Sequence, residues 1–98
     1  ISQLKEADHL MPNHPEILRC LGWSIYNERK NIQGIAILER SLSLSPKDPN
    51  ILCDLGVCFM NEHKMKKAEE MFLQVIRIKP GSFQAQECKT FLKLLKAH

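Results

Sequence analysis

A period of 34 residues, over which the chain repeats itself, limits its possible folds more than any other feature. Residues 15–48 placed over residues 49–82 are identical at nine positions: Pro15/Pro49, Ile17/Ile51, Leu18/Leu52, Leu21/Leu55, Gly22/Gly56, Asn27/Asn61, Glu28/Glu62, Lys30/Lys64 and Pro46/Pro80. Self-similarity at a fixed period of this size indicates a repeat architecture. Each unit then buries its apolar surface against its neighbours, since one unit alone cannot enclose a core.

The start of the chain fits the same period. Ile1, Leu4, Leu10 and Pro12 align with Ile35, Leu38, Leu44 and Pro46. We therefore predict a single domain in which residues 1–14 are the second helix of a truncated repeat, residues 15–48 and 49–82 are repeats, and residues 83–98 are a C-terminal capping helix. Because the chain opens inside a repeat, we expect it to be an excerpt of a longer protein.

The apolar spacing within the units is helical. Leu18, Leu21 and Ile25 recur about one turn apart, which is typical of an amphipathic helix. Pro15 opens the first helix of its unit, and its second helix is stopped by Pro46; the next unit repeats this arrangement. We predict helices near residues 1–10, 15–28, 31–44, 49–62, 65–78 and 83–97, and no strands.

The residues before these prolines are the expected helix caps. Asp48 and His14 occupy equivalent positions in the two units, and aspartate is the better N-cap. Gly22 and Gly56 lie inside helices, where glycine costs about 1 kcal/mol relative to alanine. Close approach of the partner helix is expected to compensate, with small residues at the matching positions, Gly34 and Ala68.

The order of residue types resembles that of the tetratricopeptide repeat: a large apolar residue, Leu-Gly, an aromatic, a small residue, an aromatic and a closing proline. The second unit has Leu52, Leu55, Gly56, Phe59, Ala68, Phe72 and Pro80 in this order. The first unit has Leu18, Leu21, Gly22, Ile25, Gly34, Leu38 and Pro46, with aliphatic side chains at both aromatic positions. The resemblance implies an all-α, right-handed superhelical solenoid of antiparallel helix pairs that serves as a scaffold for other proteins.

The last predicted helix has one apolar and one polar face. Its apolar stripe consists of Ala85, Cys88, Leu92 and Leu95, whereas Gln86, Lys89 and Lys93 stand where the preceding unit has inward-packing apolar residues. One face can dock and the other can meet water, as a capping helix requires.

No residues are arranged for catalysis or metal binding. The histidines and cysteines lack metal-ligand spacing, no nucleophile lies near a base, and no glycine-rich loop could hold phosphate. We predict no enzymatic activity, no cofactor and no metal site. Cys58 is expected in the core and the other cysteines at helix sides. Scattered cysteines, and the absence of an apolar run long enough to span a membrane, favour a cytoplasmic protein with reduced thiols.

The resemblance implies a concave groove lined by the first helices of successive units. At about 100° per residue, thirteen side chains fall on this face: Glu16, Arg19, Trp23, Tyr26, Asn27, Asn50, Cys53, Val57, Met60, Asn61, Gln84, Glu87 and Phe91. Trp23 and Tyr26 are expected off the core stripe, as anchors for a hydrophobic or amphipathic peptide or helix. The alternative is that Trp23, Val57 and Phe91 pack against one another and leave no open groove.

The sequence also bears on two other functions, self-association and nucleic-acid binding. The N-terminal end shows no polar cap, so the chain could self-associate by stacking end to end. The C-terminal third is basic, with eight Lys or Arg against three Glu from Lys64 onward. Specific nucleic-acid binding is nevertheless not expected, because Lys64, Lys66 and Lys67 are not interleaved with aromatic residues that could stack on bases.

Overall fold

The computed structural model describes residues 14–96, and every regular element in that range is an α-helix. The helices are α1 (Pro15–Asn27), α2 (Asn31–Leu44), α3 (Pro49–Asn61), α4 (Met65–Ile78) and α5 (Phe83–Lys96). The five helix predictions for this part of the chain are confirmed, with ends that differ by at most one residue. The helix predicted near residues 1–10, and with it the half-repeat over 1–14, lies outside the described residues apart from His14.

The N-termini of α1 and α3 differ in their caps although both begin at a proline. The Asp48 carboxylate accepts a hydrogen bond of 2.9 Å from the backbone N–H of Asn50. His14 makes no side-chain capping bond to α1. The prediction that Asp48 is the better cap is therefore confirmed, and it follows from the short acceptor that aspartate carries and histidine lacks.

Both first helices end in the same left-handed turn. Arg29 and His63, which are 34 residues apart, have φ values of 68° and 63°. The N–H of the next residue bonds back to the carbonyl of Ile25 in α1 at 3.3 Å and of Phe59 in α3 at 2.8 Å. This pattern is the Schellman motif, which turns the chain sharply into the second helix of each pair.

The described residues divide into two compact units, residues 14–46 and 47–96. In the first unit, α1 packs on α2, with Leu18, Ile25 and Leu38 buried between them. Ser41 is also fully buried, and its hydroxyl donates a 2.6 Å hydrogen bond to the carbonyl of Pro15. This bond links the last turns of α2 to the first turn of α1.

Glycines set how closely α1 and α2 approach. A Cβ atom on Gly34 would lie 2.7 Å from the backbone nitrogen of Tyr26 and 2.8 Å from the carbonyl oxygen of Gly22. A Cβ on Gly22 would lie 2.9 Å from Cγ of Leu38. Both glycines are therefore required by backbone contact between the helices, as the sequence predicted.

In the second unit, α4 packs against both α3 and α5, and α3 also contacts α5. The buried side chains are Ile51, Leu52, Leu55, Cys58, Phe59, Ala68, Phe72, Val75, Ala85 and Cys88. A Cβ on Gly56 would overlap the ring of Phe72, so this glycine makes room for an aromatic ring and not for a backbone. The core position predicted for Cys58 is confirmed.

Helix α5 buries one face only. Ala85 and Cys88 are fully buried, while Gln86, Lys89 and Lys93 are exposed. The predicted division into an apolar and a polar face is therefore confirmed. The repeat boundaries at residues 15, 49 and 83, and the capping role of α5, remain predictions.

Candidate functional site

The aromatic pair of the first unit is Trp23 and Tyr26 on α1. Their ring centroids are 6.1 Å apart and the ring planes differ by 18°, so that the rings are stacked. Trp23 is half-buried, whereas Tyr26 is only 8% exposed. The prediction that Tyr26 lies off the core stripe is wrong.

The burial of Tyr26 has a local physical reason. Because Gly34 has no side chain, the backbone of α2 passes directly beside Tyr26, and the core face of α1 is rotated toward that side. Leu18, Gly22, Ile25 and Tyr26 are the buried residues of α1. Leu21, which the sequence placed in the core, is only half-buried.

The other predicted binding residues of α1 are polar. Glu16 and Asn27 are exposed, and Arg19 is half-buried. The face of α1 therefore combines one partly accessible indole with acidic, basic and amide groups, which is the composition of an apolar anchor with a polar rim.

In the second unit, four side chains form a direct contact between α3 and α5, called here the α3–α5 seam: Asn50, Cys53, Gln84 and Cys88. The Gln84 side-chain amide donates a 2.9 Å hydrogen bond to Oδ1 of Asn50. The sulfur atoms of Cys53 and Cys88 are 3.2 Å apart. Three predicted groove residues, Asn50, Cys53 and Gln84, are therefore engaged with the neighbouring helix, which the sequence did not show.

The remaining predicted groove residues of the second unit differ in accessibility. Val57 and Met60 are half-buried, and Asn61 and Glu87 are exposed. Phe91 is half-buried and stacks on the buried Phe72, with centroids 5.1 Å apart and planes at 20°. Phe91 thus belongs at least partly to the core of its unit.

Several exposed apolar side chains were missed by reasoning from the sequence. Ile32 in α2 is 86% exposed and Phe83 at the start of α5 is 74% exposed. Both lie at helix N-termini outside the apolar stripe of their helix. Helical angle alone could have found them, because neither falls on the face that packs.

The thiols of the second unit are poorly ionised. Burial, followed by the nearby Asp54 and Glu62 carboxylates, raises the pKa of Cys58 to about 12. Burial also raises the pKa of Cys53, with further contributions from Cys88, Glu87 and Asp54. Burial raises the pKa of Cys88, while its contact with Cys53 acts in the opposite direction.

Within residues 14–96, no group of three or more His, Cys, Asp or Glu side chains is placed to hold a metal ion. None of the five helices is long and apolar enough to cross a membrane.

Comparisons with known proteins give one relative in sequence and a close match in fold. No model of a protein family matches the chain. Over 81 residues the chain is 30% identical to Protein POLLENLESS 3-LIKE 2 of Arabidopsis thaliana, a match that covers 83% of this chain and 16% of that protein. The chain thus spans a small part of the length of this curated relative.

Among solved structures, the chain is similar to YrrB, described as a TPR protein with an unusual peptide-binding site. The TM-score is 0.78 at 23% sequence identity, and the match covers 89% of this chain and 45% of YrrB. The predicted all-α fold class is confirmed. The described helices have the fold of a tetratricopeptide repeat protein, a solenoid built of antiparallel helix pairs.

Proposed function

We propose that this chain is a protein-interaction module that binds a hydrophobic or amphipathic peptide or helix, with Trp23 as the main anchor. The observation that carries the proposal is the stacking of a half-buried Trp23 on a buried Tyr26. Tyr26 holds the indole in place, so that little side-chain entropy is lost when a partner covers it. Tryptophan is also among the residues that most often dominate binding energy.

The fold supports this function. YrrB, which shares the fold, is described as having a peptide-binding site. The cysteine thiols with raised pKa values in the second unit are poor nucleophiles. We also propose that the chain has no enzymatic activity and works in the cytoplasm, and that residues 15–48 and 49–82 are repeats and residues 83–98 a capping helix.

The proposal places the main binding contact on α1. In the second unit, Asn50, Cys53 and Gln84 are engaged in the α3–α5 seam, and Phe91 stacks on Phe72. Of the other predicted groove residues of that unit, Val57 and Met60 are half-buried and Asn61 and Glu87 are exposed.

Selection from a displayed library of random peptides tests the proposal without knowledge of the natural partner. Peptides enriched on the wild-type chain are expected to contain apolar or amphipathic segments. Because Trp23 is the single tryptophan of the chain, its fluorescence reports binding directly, and a blue shift is expected as a peptide covers the indole.

Two variants separate specific binding from adhesion to exposed apolar groups. Trp23→Ala is expected to weaken the binding of the selected peptides by about 2 kcal/mol or more, as for an interface hot spot. Ile32→Ala removes an apolar side chain that is 86% exposed in the same unit and should leave affinity unchanged. Equal affinities for both variants, or unchanged Trp23 fluorescence at saturation, would contradict the assignment.

A double variant, Trp23→Ala with Tyr26→Ala, is less informative than Trp23→Ala alone. Tyr26 is buried, and removing a buried aromatic side chain costs about 3–5 kcal/mol of stability. Loss of binding in that variant would report unfolding as much as recognition. Trp23→Ala, checked for unchanged helical content by circular dichroism, is the decisive change.

A further inference from the structure

The α3–α5 seam contains two reduced thiols that are nearly in bonding distance. Cys53 and Cys88 are both free cysteines, and their sulfur atoms are 3.2 Å apart. A disulfide bond is about 2.05 Å long, so that the sulfur atoms need to approach by only about 1.2 Å. Both residues belong to the same compact unit, so no movement between units is needed.

The neighbouring contact fixes the register of the two helices. One turn before the thiols, the amide of Gln84 donates to Asn50 at 2.9 Å. Asn50 and Cys53 are three residues apart on α3, and Gln84 and Cys88 are four residues apart on α5, so each pair lies on one face of its helix. The closeness of the thiols is therefore a property of the helix pairing and not of one side-chain rotamer.

The two thiols differ in access. Cys53 is half-buried, whereas Cys88 is fully buried. We expect a small oxidant in solution to meet Cys53, the more exposed residue of the two, before Cys88. This difference assigns an order to any oxidation, with Cys53 attacked first and Cys88 second.

We propose that Cys53 and Cys88 form a redox-modification site whose co-reactant is a small-molecule disulfide such as oxidised glutathione. The Cys53 thiolate attacks one sulfur of oxidised glutathione, which forms a mixed disulfide and releases one glutathione thiolate. The Cys88 thiolate then attacks the Cys53 sulfur, which forms the Cys53–Cys88 bond and releases the second glutathione. Two protein thiols are oxidised, one glutathione disulfide is reduced to two thiols, and both protons pass to the leaving thiolates.

Burial keeps this pair reduced until an oxidant accumulates. The pKa of each thiol is raised by burial, so that little thiolate is present at neutral pH and attack is slow. The site is therefore a protected dithiol. Once formed, the bond links α3 to α5 and constrains the unfolded chain.

Incubation of the reduced 98-residue chain with oxidised glutathione tests the site. After an acid quench, cleavage both before Asp54 and after the lysines between Cys58 and Cys88 places Cys53, Cys58 and Cys88 on separate peptides, and mass spectrometry identifies the linked pair. The expected product is a Cys53–Cys88 cross-link that is lighter by two hydrogen atoms than the reduced peptides. A Cys53–Cys58 bond, a bond between two chains, or a Cys53 that is still reduced once the reaction with excess oxidised glutathione has reached equilibrium would overturn the proposal.

Two variants and one melting experiment test the order of the steps. Cys88→Ala should stop at the mixed disulfide, with one glutathione retained on Cys53. Cys20→Ala, the matched control at an exposed cysteine, should still form the cross-link. The oxidised wild-type chain should melt on the order of 10 °C higher than the reduced chain, and dithiothreitol should reverse the shift.

A melting midpoint that falls on oxidation would show that the bond distorts the seam, which would overturn the proposal. The proposal would also be overturned if the Cys88→Ala variant released the glutathione from Cys53, because Cys88 is no longer present to displace it. None of these measurements involves a partner peptide. The site therefore stands or fails independently of the proposed binding function.

Discussion

At the scale of single residues, the left-handed turns after α1 and α3 contain backbone strain that a substitution by glycine could remove. Arg29 and His63 adopt φ values of 68° and 63°, where a side chain costs about 1–2 kcal/mol relative to glycine. Both residues are exposed, so little packing is lost if the side chain is deleted.

We predict that His63→Gly, and likewise Arg29→Gly, stabilises the chain by about 1 kcal/mol, because glycine adopts this conformation without a steric penalty. Urea unfolding followed by circular dichroism measures the change. The control is Glu69→Gly at an exposed position inside α4, which should destabilise by about 1 kcal/mol. If His63→Gly lowered stability as Glu69→Gly does, the left-handed turn would not be the feature that sets its effect.

Single residues also show where sequence reasoning reached its limit. Helical angle placed Leu18 and Ile25 in the core, and both are buried. The same angle placed Tyr26 on the outside, because a calculation from helical angle alone assumes that the buried face of a helix points in one fixed direction. Gly34 lets α2 pass beside Tyr26, and this tertiary contact shifts the buried face.

At the scale of helices, the two units use their small residues differently. In the second unit, the small residue at this position is Ala68, which is fully buried. In the first unit, the equivalent Gly34 faces backbone atoms of α1, so that α1 and α2 leave no space for a methyl group. The first unit thus has a glycine where backbone atoms of the two helices meet, and the second unit has an alanine at the equivalent position.

Gly34→Ala is expected to destabilise the chain by about 1–3 kcal/mol, as overpacking of a close contact does. The reason is that the new Cβ would lie 2.7 Å from the backbone nitrogen of Tyr26, which cannot move without displacing α1. Thermal melting measures the loss. Gly81→Ala is the matched control, because a Cβ there meets nothing within 4 Å; equal melting points for the two variants would contradict the close approach.

Helix positions were almost fully predictable, since their signals are local. Prolines, the Asp48 cap and apolar periodicity act within a few residues, and the helix ends agree with the sequence prediction to one residue. Contacts between helices were less predictable. The pairing of Cys53 with Cys88 depends on the rotation of α5 about its axis, which periodicity constrains only loosely.

At the scale of the whole molecule, the 34-residue repeat predicts the fold but says little about the candidate binding site. The 34-residue period led to the tetratricopeptide fold, which comparison with YrrB supports at a TM-score of 0.78. The predicted groove residues share a position in the repeat, yet their surroundings differ from unit to unit. Trp23 stacks on a tyrosine of its own helix, whereas the equivalent Phe91 stacks on Phe72 of α4.

The buried thiols are expected to make the molecule less stable at alkaline pH. Cys53, Cys58 and Cys88 all lie in the second unit, and burial raises the pKa of each. For Cys58 the pKa rises from 9.0 to about 12. Between these values the unfolded chain gives up the thiol proton while the folded chain keeps it. The contribution of the Cys58 thiol to the free energy of unfolding is therefore fully present below about pH 9, and it is lost as the pH rises toward 12.

We predict that Cys58 alone lowers the free energy of unfolding by about 2 kcal/mol between about pH 8 and about pH 10.5. Urea unfolding at the two pH values, under a reducing agent that keeps the thiols free, measures the loss. Tyrosine and lysine titrate in the same range, so the informative quantity is the difference between the wild-type chain and Cys58→Ala. The variant is less stable at both pH values because it leaves a small cavity, but its stability should fall less on going to high pH. An equal fall in both proteins would show that the Cys58 thiol ionises as readily in the folded chain as in the unfolded one.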